Sequence, residues 1–479
     1  MGCFEATRGE DPAWKQKTNC EDVVAAMDLD VIVIGWGKGG KTLAGTLARA
    51  GQRVAIVEQS TSMYGGTCIN IGCVPTKTLI HDAEQHRGNR ADAHYFYKSV
   101  ERRDELTAKM RQKNFSMLND LDSVLVLTGR ASFTGPHSIK VEGGEEVLEL
   151  SAPRIVINTG ALPSVAPISG AEIGGRIHDS TTLQHAEFPA KLLVVGGGYV
   201  GLEFASMFAQ FGSEVTVLDR GARPLKREDE DVAAEVASAL SDAGVKILDS
   251  ASATSMRQDA EGVTVIYQRD GMERSIEADA VLLALGRTPA TQGLNLETTD
   301  VRLGDKGEIK VDKHLATGSE GIYALGDVIG GPQFTYTSLD DQRILKDQFL
   351  GEGARNLEDR VAVPTTMFTT PLLARVGLSE DQGRAQGLDI KVAVKKVADI
   401  AAMPRPKIVR DPRGIIKFVV DRNSDQILGA ALMHVDAQEV INLVALAMRS
   451  GITASTLRDS IFTHPSSTEA LNEVLAGFD

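Results

Sequence analysis

Two cysteines stand close together in the stretch Gly65-Gly-Thr-Cys68-Ile-Asn-Ile-Gly-Cys73-Val-Pro-Thr-Lys77. The chemistry open to such a pair is reversible disulfide formation, nucleophilic attack by a thiolate, or soft-metal binding. A regular helix works against the disulfide, because five residues rise about 7.5 Å and carry the Cα atoms beyond bridging range. A bridge therefore predicts an irregular turn, for which Gly72 and Pro75 offer places. Thr76 to His86 is expected to be helical, and a thiol near a helix N-terminus ionises more readily. Two plainer readings compete: reduced cysteines in a core, and half of a metal site. A structural zinc site usually has four ligands. The other cysteines, Cys3 and Cys20, lie in the N-terminal tail, so no metal site is expected.

A second kind of chemistry lies in two glycine-rich turns. Gly35, Gly37 and Gly40 fit G-x-G-x-x-G after the apolar run Val31–Ile34, and Gly196, Gly198 and Gly201 repeat the spacing after Leu192–Val195. In such a turn the first glycine permits the bend. The second lets a pyrophosphate approach, and the third lets helix and strand pack, with the helix N-terminus facing the phosphates. Helices are expected over Lys41–Ala50 and Leu202–Phe211. The return strands end in Glu58 and Asp219, where a carboxylate can accept a ribose hydroxyl. The chain is thus expected to bind two dinucleotides, or one beside a vestigial copy. Asp219 favours NADH by repelling a 2′-phosphate. Arg220 and Arg223 are placed either to hold that phosphate or to face solvent, so NADPH stays open.

The elements that must position these groups read as alternating strands and helices. At roughly 100–200 residues each, 479 residues make about three domains. After about residue 350 the glycine-rich turns cease and strands near 376–378, 390–396, 415–421 and 426–432 adjoin helices near 438–450 and 467–476. The expected class is α/β: two doubly wound Rossmann-like dinucleotide-binding domains and a C-terminal α+β domain. The net charge of -14 argues against nucleic acid and anionic membrane. No apolar run is long enough to span a bilayer. Residues 1–26 lack the apolar core of a secretory signal, and the cytoplasm is the expected compartment.

At these motifs the sequence resembles the pyridine nucleotide-disulfide oxidoreductases, the family of lipoamide dehydrogenase, glutathione reductase and mercuric reductase. The likeness rests on Gly35–Gly40, Gly65–Lys77, Gly196–Glu203, Gly326–Asp327 and His464–Glu469. It implies an N-terminal tail (1–26), an FAD-binding domain in two parts (27–165 and 289–350), an NAD(P)-binding domain (166–288) and a dimerisation domain (351–479). It assigns FAD to the first turn with Glu58, Gly66, Thr67, Lys77, Thr159 and Gly160, and counts Gly286 among the cofactor-binding residues. Gly129-Arg-Ala131 would meet the adenine, and Asp327 the flavin-side ribityl and pyrophosphate. Gly196, Gly198, Gly201, Asp219 and Arg220 would hold the nicotinamide dinucleotide. Cys73 would face the flavin and Cys68 would be the interchange thiol. Lys77 would pair with Glu203. His464 and Glu469 would be the acid–base pair, reaching into the partner's site of a homodimer.

Within the family the likeness is greatest to a bacterial branch that reduces copper(II) in reactive-chlorine defence. Tyr64–Ala83, Gln333–Asp341 and Ile461–Ser466 carry it. Mercuric reductases have a C-terminal cysteine pair, whereas this chain has no cysteine after Cys73 and keeps His464-Pro465. The expected activity is electron transfer from NADH or NADPH through FAD and a Cys68–Cys73 disulfide to copper(II), a transient substrate. His81, Asp340 and Asp341 would flank the metal ion or simply line helix surfaces. Reduction of an organic disulfide or of Hg(II), and a non-enzymatic redox sensor, are the alternatives.

Overall fold

The computed structural model describes residues 28–88, 92–143, 146–164 and 167–478. The tail with Cys3 and Cys20 lies outside the described residues. The described residues divide into two compact units. One gathers the residues up to Thr76 with Glu101–Ser164 and Gly286–Asp359. The other gathers Lys77–Val100, Val165–Leu285 and Arg360–Asp479.

The first unit is built on a parallel sheet with spatial order Ile322–Ala324, Arg154–Ile157, Val31–Ile34, Val54–Glu58, Val124–Thr128. Two of its strands, VIVI and VAIVE, are buried at every position. That is the pattern of a parallel sheet covered on both faces, where alternation disappears. The helix Lys38–Arg49 returns over the sheet and buries Leu43, Ala44 and Leu47. An antiparallel meander, Arg130–Gly135, Ser138–Gly143 and Glu146–Ser151, completes the unit's larger sheets.

The second unit repeats the parallel plan in the order Lys246–Leu248, Glu214–Leu218, Lys191–Val195, Ala280–Leu283, Ile177–His178. Its helix Tyr199–Phe211 is buried over most of its circumference. The unit also holds a five-stranded antiparallel sheet, Thr365–Met367, Leu372–Gly377, Ile427–His434, Ile415–Asp421, Ile390–Lys396. The helix Ala437–Arg449 packs Val440, Ile441 and Val444 into a core shared with Phe418 and Leu471. The two doubly wound halves and the α+β part therefore match the expected class. Among the described residues no helix is long and apolar enough to cross a membrane.

Three local expectations change. Both glycine-turn helices begin directly after the middle glycine, at Lys38 and Tyr199, not at Lys41 and Leu202. First-turn amides have no intrahelical partner in any case, so the helix can start on glycine-rich sequence. The cysteine helix likewise begins at Cys73 and not at Thr76. Pro75 then falls in its first turn, where a missing N–H does no harm, and the irregularity lies at Ile71-Gly72, after the short helix Thr67–Asn70.

Candidate functional site

The first turn is shaped by demands that only glycine meets. Gly35 has φ +99°. A Cβ on Gly40 would come within 2.9 Å of Val33 Cγ1, so the helix lies flush on its strand. Gly37 has a further constraint: its Cβ would strike Asn158 Nδ2 at 2.6 Å. Glu58 ends the return strand, and its Oε2 accepts the Trp36 N–H at 3.1 Å. Burial pushes the Glu58 carboxyl up to about 7, against the pull of the Trp36 amide and other backbone N–H groups.

The second unit repeats this arrangement. Gly196 has φ +118°, and a Cβ on Gly201 would overlap the Gly196 carbonyl. Asp219 Oδ2 accepts the Gly197 N–H at 2.8 Å and Oδ1 accepts the Gly221 N–H at 2.6 Å. Arg220 is exposed. Arg223 is committed to the Glu228 carbonyl at 2.9 Å. In both turns the terminal acid holds the amide just after the first glycine.

The cysteine loop is pressed onto the first turn. Gly66 has φ +75°, and a Cβ there would lie 2.7 Å from Gly37 Cα. Thr67 opens the short helix that carries Cys68. Asn70 Nδ2 ties the carbonyls of Tyr64 and Gly66, both at 3.0 Å. Cys68 and Cys73 are not joined as a disulfide; Cys68 is half-buried and Cys73 exposed. Their sulfurs are in hydrogen-bonding contact, and Cys73 Sγ lies 3.5 Å from Thr335 Oγ1. The expected easy ionisation does not hold at Cys68. The bond to Cys73, then burial, push its thiol up, while Thr335 and Lys41 pull the other way. Two touching sulfurs do not both carry charge.

Lys41 adds a group that the motifs do not reveal. It donates to the Gly65 carbonyl at 3.3 Å and to Asn114 Oδ1. Burial, helped by Lys38 and opposed by Cys68, brings its ammonium down to about 8. The available signal is a lysine in a helix's first turn, against the helix dipole.

Gly129 donates its N–H to the Glu58 carbonyl at 2.9 Å, which brings the segment with buried Ala131 to the end of that strand. Thr159 Oγ1 donates to the Ala290 carbonyl at 2.7 Å. Gly286 accepts the Ser164 N–H at 3.0 Å. Burial raises the Asp327 carboxyl, with Arg287 opposing and Asp341 adding to the rise. Asp341 is buried and accepts the Gly326 N–H at 2.8 Å, so it does not line a helix surface. Asp340 pairs with Arg355 at 2.6 Å, and His81 is exposed. Among the described residues no cluster of His, Cys, Asp and Glu is arranged to hold a metal ion.

Two charged pairs belong to the second unit. Lys77 Nζ lies 2.7 Å from Glu203 Oε2 and 4.8 Å above the Phe368 ring, and Glu203 Oε1 accepts the Phe368 N–H at 2.8 Å. His464 Nδ1 lies 2.8 Å from Glu469 Oε1. The Ser466 N–H, with help from His464, holds the Glu469 carboxyl below its ordinary value.

The residues fit bound dinucleotides. A Cβ on Gly160 or on Gly198 would meet nothing within 4 Å, which leaves the backbone at each open to a ligand. The amides at both helix starts, with the two terminal acids, supply donors for phosphate and acceptors for ribose.

Comparison with known proteins agrees. The profile described as pyridine nucleotide-disulphide oxidoreductase matches residues 29–341, and that of the family's dimerisation domain matches residues 363–475. The chain is 46% identical over 446 residues to the probable pyridine nucleotide-disulfide oxidoreductase RclA of Escherichia coli K12, covering 93% of this chain and 98% of that one. A mercuric reductase of Staphylococcus aureus is 32% identical, covering 94% and 83%. The solved Cu(II) complex of the HOCl-induced flavoprotein disulfide reductase RclA from Escherichia coli superposes with TM-score 0.89 at 45% identity, covering 94% and 99%. With its doubled glycine turns and its cysteine loop, this chain belongs to the pyridine nucleotide-disulphide oxidoreductases, enzymes that use FAD and NAD(P)H.

Proposed function

We propose that this enzyme works as a homodimer that takes electrons from NADH, and also from NADPH, and passes them through the Cys68–Cys73 pair to copper(II). The observation that carries the reading is the cysteine loop seated on the first glycine turn, Gly66 against Gly37. Bound FAD supplies two-electron uptake from a nicotinamide and delivery to sulfur. Gly35, Gly37, Gly40, Glu58, Gly66, Thr67, Ala131, Thr159, Gly160 and Asp327 are the residues to hold it. Gly196, Gly198, Gly201, Asp219 and Arg220 are those for the nicotinamide dinucleotide. Lys77, steadied by Glu203, offers a fixed positive charge where negative charge grows during reduction.

The electron balance is simple. The dithiol gives one electron to each of two copper(II) ions. An S–S bond forms between Cys68 and Cys73, and two protons leave. One NADH with one proton restores the dithiol. Thiolates favour copper(I) over copper(II), which draws the reaction forward. Copper as the acceptor is supported by the related RclA of Escherichia coli, which forms a Cu(II) complex. The intact His464–Glu469 pair favours a second reading, reduction of an organic disulfide, in which Cys68 attacks sulfur and His464 exchanges the proton.

The test is anaerobic titration of the holoenzyme with NADH, followed by copper(II), Hg(II), lipoamide and glutathione disulfide, on the parent and on Cys68→Ser. Copper(II) consumption by the parent alone, two ions per NADH, is expected. Equal rates in Cys68→Ser would remove the cysteine pair from the route. Failure of NADH to bleach the flavin would leave only a redox sensor. Sedimentation equilibrium checks the dimer.

A further inference from the structure

Asp436 occupies the N-cap position of the helix Ala437–Arg449, yet its side chain makes no cap bond. An aspartate there ordinarily accepts a first-turn amide and steadies its helix. Here Oδ2 accepts instead from the Ser467 hydroxyl at 2.6 Å and from Arg405 Nε at 3.2 Å. The backbone N–H of Asp436 is directed at Nδ1 of fully buried His434, 3.3 Å away. Ser467 is 3% exposed and lies between His464 and Glu469. In the same loop Ser466 N–H donates to Glu469 Oε2 at 2.8 Å, and Glu469 Oε1 meets His464 Nδ1 at 2.8 Å. Glu469 thus ties the loop to itself, and Asp436 ties it to the end of a core strand. A local preference given up in this way points to a functional constraint.

We propose that Asp436, through Ser467 and backed by Arg405, is a positioning residue that fixes the loop presenting the His464 imidazole. The inference rests on the reading of His464 and Glu469 as the acid–base pair. The His464 side chain is 70% exposed, so its direction is set by the loop that bears it. Loss of the anchor leaves the His464–Glu469 bond intact and lets the pair drift as one body. A drift of about 1 Å at a reacting group can lower its rate about 100-fold.

The experiment uses holoenzyme with NADH as donor and the fastest of lipoamide, glutathione disulfide and an aromatic disulfide as acceptor. Ser467→Ala removes one hydroxyl from the anchor. It is expected to lower kcat at least about tenfold, to leave the KM for NADH and the rate of flavin bleaching unchanged, and to distort the pH–rate profile as His464→Gln does. Ser467→Thr restores most of the rate. Asp436→Asn, which keeps an acceptor but loses the charge facing Arg405, falls between them. Parental turnover and pH profile in Ser467→Ala, with His464→Gln impaired, would overturn the positioning role. Slowed flavin bleaching in Ser467→Ala would overturn it too, because it marks general damage. Parental turnover in His464→Gln would defeat the acid–base reading itself, and this inference with it.

Discussion

Lys77 and Glu203 form an ion pair of 2.7 Å in which the carboxylate is almost fully buried and the ammonium also lies over the face of Phe368. With Phe368 N–H on its other oxygen, Glu203 is satisfied on both sides. Lys77→Met removes the cation and leaves a buried acceptor short of a partner. The expected loss of stability is roughly 2 kcal/mol, read from urea unfolding. Flavin bleaching by NADH should slow by roughly 100-fold in stopped-flow. Bleaching at the parental rate would deny Lys77 any part in the reduction.

Gly66→Ala strains a backbone at φ +75° and drives a methyl to 2.7 Å from Gly37 Cα. Backbone cannot swing aside as a side chain can, so the cysteine loop must lift from the turn. The purified variant should lose most of its visible flavin absorbance. Gly51→Ala is the control, since it shares the positive φ but meets nothing within 4 Å. If both variants keep their colour, the contact does not govern flavin retention.

Asp219 holds the second glycine turn, proposed for the nicotinamide dinucleotide, through its carboxylate, and Arg220 beside it is exposed. NADH should be the better donor. Arg220→Ala should lower kcat/KM for NADPH by about tenfold, the scale of one charge-assisted contact, and leave NADH unchanged. Steady-state kinetics with both donors decides it, and an equal fall for the two would assign Arg220 another role.

His434 is fully buried, and its Nδ1 accepts the Asp436 amide, so the ring proton sits on Nε2. Burial pushes the imidazole down to about 4. In the unfolded chain the same ring titrates near 6.5, so between these values the unfolded state binds the extra proton. Stability is therefore complete above about pH 6.5 and falls as pH drops toward 4, by up to roughly 3 kcal/mol. His434→Gln should lack that portion of the decline in urea midpoints measured from about pH 7 to about pH 4.5. A parallel decline in both proteins would place the acid sensitivity elsewhere.

The parts legible in the sequence are those set by local backbone demands. The glycine spacings, the terminal acids Glu58 and Asp219, and the cysteine pair all announce themselves within a few residues. The strands of both parallel sheets read as unbroken apolar runs because both faces are covered. What escaped depends on contacts between distant segments. Gly66 meeting Gly37, Asp341 turning inward to Gly326, and Asp436 turning to Ser467 leave no periodic trace. Pro75 misled for a local reason: a proline in a helix's first turn and one just before a helix look alike in sequence. The rise in the Cys68 thiol follows from contact with Cys73, which spacing alone does not fix.

In each dinucleotide turn the terminal acid is already engaged: Glu58 Oε2 at Trp36, and Asp219 through both oxygens, at Gly197 and Gly221. Exchange of coenzyme by replacing Asp219 with a small neutral residue would therefore also unpin the glycine bend. Any successful redesign toward the phosphorylated coenzyme must keep an acceptor at 219 or supply one from a neighbour. The residue proposed to discriminate between ligands also serves as part of the scaffold, and that shared duty narrows the routes by which such a protein can change its electron donor.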